Sequence, residues 1–209
     1  AGSCIVNDQV VRQAAREEII RRYYEAQCDQ RMGTGTEEAV YKIQLLMQQA
    51  GVTAADRPVI AAALAKEEAT GEPAMALELP DGSLVTGKTS DLLGPASAVL
   101  LNALKRLGDI DDEALLMSPQ VIEPIQDLKV NHLGNHNPRL HTDEVLLALA
   151  ICAVSDPQAK KAIEQLKGLK GCDAHSTVIL SQVDKSTFHK LGVRLTCEPK
   201  HQSNRLYHR

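Results

Sequence analysis

The hydrophobic period of the chain changes near residue 74, and that change limits the fold more than any other feature. In AMALELPDGSLVTG, apolar and polar residues alternate on either side of Pro80, Asp81 and Gly82, the composition of a tight turn, so a β-hairpin is expected. The segments before it repeat at helical spacing instead. In VVRQAAREEIIRRYYEAQ, Val11, Ala15, Ile19, Tyr23 and Ala26 recur on one face and Asp8 is placed to cap, which predicts a long amphipathic helix. Thr36 starts a second helix, EEAVYKIQLLMQQA, whose acidic first turn suits the helix dipole and which Gly51 stops. A third follows Pro58 and ends at Gly71.

After the hairpin, Pro95 opens a helix in PASAVLLNALKRLG, because its fixed φ and missing N–H do no harm in a first turn. Ser118 and Pro119 start another, with a kink expected at Pro124. TDEVLLALAICAV and DPQAKKAIEQLKGL read as helices, followed by a strand STVILS, a short helix in DKSTFHKLG and a strand VRLTCEP. Strand, helix and strand in close succession imply a right-handed parallel crossover. The expected class is α/β, of α+β type with a helical subdomain over 1–72, a small α/β subdomain with the hairpin over 73–130 and a C-terminal α-β-α subdomain over 131–209. The polar, basic end KHQSNRLYHR reads as a docking tail or a frayed terminus.

Composition narrows the function. Aromatic residues make up only 2%, with no Trp and one Phe, so the core must be built from Leu, Ile, Val, Ala and Met, and stacking on bases has few platforms. A net charge of -4 gives no overall attraction to phosphate backbones or anionic lipid, so neither nucleic acid nor membrane is an expected partner. No apolar run approaches the roughly 20 residues of a membrane helix, and nothing at the start resembles a signal peptide. Cys4, Cys28, Cys152, Cys172 and Cys197 lack C-x-x-C pairing and are odd in number, which suits reduced thiols and a cytoplasmic location. The chain begins at Ala1 without Met and is read as a processed or truncated piece of something longer.

GSLVTGKT, Gly82 to Thr89, satisfies the phosphate-cradling pattern G-x-x-x-x-G-K-[ST]. A working phosphate loop has a strand ending before the first Gly and a helix starting at the Lys-Thr. Here Leu84 and Val85 prefer a pleated strand, Gly82 belongs to the turn, and Gly94 and Pro95 interrupt a helix after Lys88. A hairpin strand is expected, with Lys88 able to reach a ligand anion from its end.

The stretch NHLGNHNPRLHTDE, Asn131 to Glu144, gathers His132, His136, His141, Arg139, Asn135, Asn137, Asp143 and Glu144 around a Gly and a Pro. It precedes a helix whose first turn would present free N–H groups, so an anion could be held there with Arg139. The same imidazoles and a carboxylate could instead take a divalent metal, or the groups could cap the helix and fill the turn. In GCDAHST, Cys172 and His175 could be half a zinc site, a thiol beside a base, or a buried thiol near a strand start. His189, His201 and His208 stand alone on polar stretches and read as solvated.

The runs EEIIRRYYEA, DRPVIAAALAK, ELPDGSLVTGKTSDLLGPASA, LGNHNPRLHTDEVLLAL, GCDAHSTVILSQVD and LTCEP together resemble the C-terminal portion of an uncharacterised bacterial protein family, UPF 0371, built on domain of unknown function 1846. The resemblance covers nearly the whole chain. It implies a larger protein with an additional N-terminal nucleotide-binding-like domain and a C-terminal α-β-α layer similar to cytidine-deaminase topology. A zinc-protease association carried by some members finds no H-E-x-x-H here, and the deaminase pattern is echoed only by His141-Thr142-Asp143-Glu144, without its thiolate pair.

The expected function is binding of a small anionic or nucleotide-like ligand by the loop Gly134 to Glu144 together with Cys172, His175 and Lys88, as part of an enzyme completed by its own N-terminal domain. His136 or His141 would act as general acid or base, with Glu144, Cys172 and His175 as further catalytic candidates. Lys88, Asn135, Asn137, Arg139 and Thr142 are the ligand-binding candidates, and neither a metal ligand set nor a particular cofactor is assigned. Two rival classes stand beside this one. One is a metal-dependent hydrolase or deaminase-like enzyme using the same His residues with Glu144; the other is a non-enzymatic homo-oligomerisation module whose helix 8–31 packs against a second copy.

Overall fold

Asn7, rather than Asp8, caps the first helix, its side-chain oxygen accepting from the N–H groups of Gln9 and Val10. The computed structural model describes residues 7–202; the opening AGSCIV with Cys4, and residues 203–209 of the tail with His208, lie outside the described residues. Helix α1 runs Asp8–Met32 and stops at Gly33, whose φ of 78° makes it the left-handed C-cap. Its buried stripe is Ile20, Tyr24 and Cys28, one position on from the expected Ile19 and Tyr23, which lie beside it half-buried. Helix α2 spans Glu37–Ala50 between the Thr36 cap and Gly51, and α3 spans Pro58–Thr70. Ile20 and Tyr24 pack with Met47, Val52 and Ile60 to join these three helices.

The hairpin forms as its alternation requires. Strand β1, Ala74–Glu78, pairs antiparallel with β2, Leu84–Lys88, in the register Ala74 to Lys88 through Glu78 to Leu84. Helix α4, Pro95–Leu107, lies so close over β2 that a Cβ at Gly87 would sit 2.2 Å from the Val99 nitrogen. The second glycine of GSLVTGKT is therefore a packing residue, and no helix starts at Lys88. Helix α5, Pro119–Asp127, carries Pro124 inside it and runs on into a π-helical turn at Leu128–His132. Helices α6, Thr142–Cys152, and α7, Pro157–Glu164, follow, with a 3-10 turn at Gln165–Leu169.

Strand β3 is Asp173–Ser176, so only Ser176 of the expected strand STVILS belongs to it. Its hydroxyl donates to the Val178 carbonyl and accepts from the Val178 N–H, which turns the chain out of the sheet. Val178 and Leu180 are apolar because they enter the core from an irregular segment. Helix α8, Gln182–Lys190, then leads to β4, Arg194–Cys197, which runs parallel to β3 as the crossover predicts. The sheet order is β2-β1-β3-β4, mixed because β1 is antiparallel to both neighbours.

This is the α/β class expected, with helices on both faces of the sheet. Ala76 of β1 packs with Val59 and Ala63 of α3, while Met75 and Leu77 point into the larger core with Leu100 and Leu104 of α4 and Phe188 of α8. A polar clasp joins the helical layer to the sheet. Arg57, buried just before α3, donates to Asp173 at 2.8 Å and to the carbonyl of Ala174, and Asp173 also holds Arg194, which reaches Glu17 of α1 at 3.1 Å.

Candidate functional site

Open α/β sheets leave a crevice beyond the C-terminal ends of their parallel strands. Here a cleft of about 700 Å³ occupies that place, with walls formed by residues 94–97, 139–141 and 179–181 and by Asn137, Asp184, His201 and Gln202. The segments after β3 and after β4 both reach it, and the first turns of α4, α6 and α8 meet there.

Three helix starts facing one cleft concentrate N–H donors, but those of α6 and α8 are partly satisfied, and the residues there whose N–H makes no hydrogen bond among the described residues, Asp143, Gln182 and Val183, do not line the cleft. Asp184 of α8 accepts from the Thr142 N–H at 2.9 Å and from its hydroxyl at 3.0 Å. Glu144 accepts from the His141 N–H at 2.7 Å, and Asp143 accepts from the Glu144 N–H. The start of α6 thus offers the cleft fewer free donors than expected. Ser181 caps α8 by accepting from the Asp184 N–H and donates its hydroxyl to the same carboxylate. Helix α4 is different: its N-cap is Gly94, with no side chain to cap, Pro95 has no N–H, and the N–H groups of Ala96 and Ser97 make no hydrogen bond among the described residues. The Ser97 hydroxyl is committed to the Leu140 carbonyl.

Arg139 and His141 line the same cleft, on the segment whose Leu140 carbonyl accepts from Ser97. Arg139 is anchored by its Nε donating to the Ser90 carbonyl at 2.6 Å and by its N–H donating to Asn137 Oδ1, and its terminal guanidinium nitrogens make no hydrogen bond among the described residues. Behind His141 lies Lys129, a residue that sequence reasoning missed. Its side chain is 3% exposed in the π-helical turn, and its ammonium reaches the Arg139 carbonyl at 2.7 Å, Glu144 Oε2 at 2.7 Å and His141 Nδ1 at 3.0 Å. The Glu144 carboxylate raises the pKa of His141 above the usual imidazole value, against burial and the Lys129 charge. Burial alone would raise Glu144, but hydrogen bonds from His141 and Lys129 prevail and hold its carboxyl at about 2.

The remaining candidates lie elsewhere. His136 and Asn135 are exposed in the loop and do not line the cleft, and His132 is exposed near Asp127. Lys88 is exposed at the end of β2, two residues before Ser90, also outside the lining. Thr142 is buried behind the cleft on Asp184. Cys172 stands before the start of β3, at the far end from the cleft, in a small hollow with Glu78, Lys170 and Arg194, and burial pushes its thiol up. His175 is fully buried beneath Tyr24, with Nδ1 2.8 Å from Thr196 Oγ1 and Nε2 3.1 Å from Glu198, and burial pushes its imidazole down. The expected meeting of GCDAHST with the His-rich loop does not occur. His201, read as solvated, is exposed but on the cleft rim, and His189 is exposed on α8. Among the described residues no three His, Cys, Asp or Glu side chains gather as a metal ligand set.

Residues 55–207 match the family model described as Domain of unknown function DUF1846, C-terminal. The chain belongs to the DUF1846 family. Residues 1–51 match the companion DUF1846 N-terminal model, so the chain is not confined to the C-terminal portion as its sequence suggested. The curated DUF1846 relatives include the UPF0371 protein of Corynebacterium urealyticum, 52% identical over 206 residues that cover 99% of this chain and 41% of that protein. A UPF0371 protein of Streptococcus pyogenes serotype M5 is also 52% identical, over 99% of this chain and 42% of its own length. The chain therefore spans about two fifths of the length of these relatives. No helix among the described residues is long and apolar enough to cross a membrane.

Proposed function

We propose that this DUF1846 chain binds a small anionic ligand, a phosphate or carboxylate group on a compact organic molecule, in the cleft between α4 and the His-rich loop. One observation carries the reading: Ala96 and Ser97, whose N–H groups are uncapped, line the same cleft as Arg139 and His141. Free N–H groups at a helix start, the positive end of its dipole and a fixed guanidinium are the components of an oxyanion site. The cleft volume of about 700 Å³ suits a ligand the size of a sugar phosphate or nucleotide, and Pro95, Leu140 and Ile179 supply an apolar wall for its body. If the whole protein carries out chemistry here, His141 is the group placed to exchange a proton with the ligand.

The test is a thermal-shift series with inorganic phosphate, sugar phosphates, nucleotides and dicarboxylates on the chain and on Arg139→Ala. A ligand at a hundredfold excess over its Kd stabilises by about 2.7 kcal/mol, a shift of several degrees, and that shift should vanish in the variant while the unliganded midpoint stays within about 2 °C. No shift with any anion would remove the reading.

Assembly with a second copy is favoured by a separate observation. Leu147 and Ile151, four residues apart on α6, and Val154 in the turn just after it are 67%, 63% and 87% exposed, an apolar stripe open to solvent. The oligomer surface is proposed there rather than on α1, whose Ile20, Tyr24 and Cys28 are already buried.

A further inference from the structure

Lys129 has three protons and three acceptors: the Arg139 carbonyl, Glu144 Oε2 and His141 Nδ1 at 2.7, 2.7 and 3.0 Å. The side chain is 3% exposed, so an ammonium proton without one of these partners would be left buried and unpaired. A proton on His141 Nδ1 would also set two donors 3.0 Å apart. The lone pair of Nδ1 must therefore face Lys129, and in the neutral ring the proton belongs on Nε2. With Nδ1 turned back to the buried pair and His141 lining the cleft, Nε2 is the ring nitrogen left for a ligand. The other charged groups near the ring leave this arrangement intact, since Glu144 Oε2, 3.5 Å from Nδ1, already accepts from Lys129 and from the His141 N–H, Asp184 is occupied by Thr142 and Ser181, and the Arg139 side chain is held by Ser90.

We infer that Lys129 is a positioning residue which fixes His141 as an N–H donor toward the cleft, so that the site takes a group with acceptors only, a phosphate monoester dianion or a carboxylate. Resting on the anion reading above, the inference adds a chemical selection to it. The Ala96 and Ser97 amides, the guanidinium of Arg139 and the Nε2–H of His141 all donate, and a ligand group that carries its own donor, such as an amide, an ammonium or a protonated acid, meets a wall of donors.

Long-range proton–nitrogen correlation spectra of the 15N-labelled chain at pH 8, with His141 assigned through His141→Gln, read the tautomer directly. The wild type should show a protonated Nε2 and a bare Nδ1. Lys129→Met should reverse the pattern, because Nδ1–H can then turn to Glu144, and the affinity for methyl phosphate, a dianion at this pH, should fall about tenfold, the loss of one hydrogen bond to a charged group. A protonated Nδ1 in the wild type, or an unchanged tautomer in a folded Lys129→Met, overturns the inference; the wild-type spectrum decides alone if the variant does not fold. If the tautomer is as expected and methyl phosphate leaves the Nε2 resonance unmoved, the ligand selection falls with the anion reading, while the positioning of His141 by Lys129 stands.

Discussion

Asp184 on α8 accepts both the backbone N–H and the hydroxyl of Thr142 on α6, at 2.9 and 3.0 Å. One carboxylate thus closes the starts of two helices, because its other oxygen takes the Ser181 hydroxyl at 2.7 Å. Replacing it by Ala leaves buried donors on both helices and should lower stability by about 2 kcal/mol. Asp184→Asn should recover more than half of that loss. Urea unfolding of the two variants checks the claim, and equal losses would show that the hydrogen bonds at Asp184 contribute little.

Glu144 links stability to acid pH. Its carboxyl is held at about 2, below its ordinary value of 4.5, so the charged form favours the folded state. The stabilisation is complete above the unfolded pKa and is lost as pH falls from about 4.5 toward 2. Allowing for its partial exposure, the loss is on the order of 2 kcal/mol. Urea midpoints measured down this range should drop more steeply for the wild type than for Glu144→Gln. Parallel curves would show that the Lys129 and His141 contacts do not hold this carboxylate.

GSLVTGKT makes opposite predictions for its two best-known positions. Gly87→Ala drives a methyl group into the α4 backbone at Val99 and should cost about 2 kcal/mol or more. Lys88→Ala alters an exposed side chain outside the cleft and should change neither the melting point nor phosphate affinity appreciably. Loss of phosphate binding in Lys88→Ala with the fold intact would restore a nucleotide role to the motif.

The apolar stripe on α6 gives a concentration test. Sedimentation should show a mass that rises with protein concentration, and Leu147→Glu should hold the chain as a monomer without lowering its melting point, since that side chain is 67% exposed. A monomer at all concentrations would leave the stripe without a second copy to cover it.

The elements readable in the sequence were those written in local chemistry. Thr36 with Gly51, Pro58 with Gly71, and the alternation around Pro80-Asp81-Gly82 each gave bounds that the structure keeps, because caps, prolines and turn residues act within a few positions of themselves. STVILS failed for a tertiary reason: its apolar residues serve a core reached by an irregular segment, and Ser176 ends the strand with its own hydroxyl. The His-rich loop was legible as polar, but which of its groups reach a cleft was not. That depends on Lys129, ten residues before Arg139, and on Asp184 and Gly94, which come from distant parts of the chain. A lysine inside a helical run carries no sequence mark of burial, and an uncapped helix start shows only as a Gly-Pro pair.

The most direct measurement of the anion site is a titration of the 15N-labelled chain with inorganic phosphate, followed in amide correlation spectra. The account predicts that the Ala96 and Ser97 amides move downfield and saturate together, since their N–H groups make no hydrogen bond among the described residues, while the Thr142 amide, held by Asp184, moves little. Saturating shifts confined to Thr142 and its neighbours, or none at all, would contradict it.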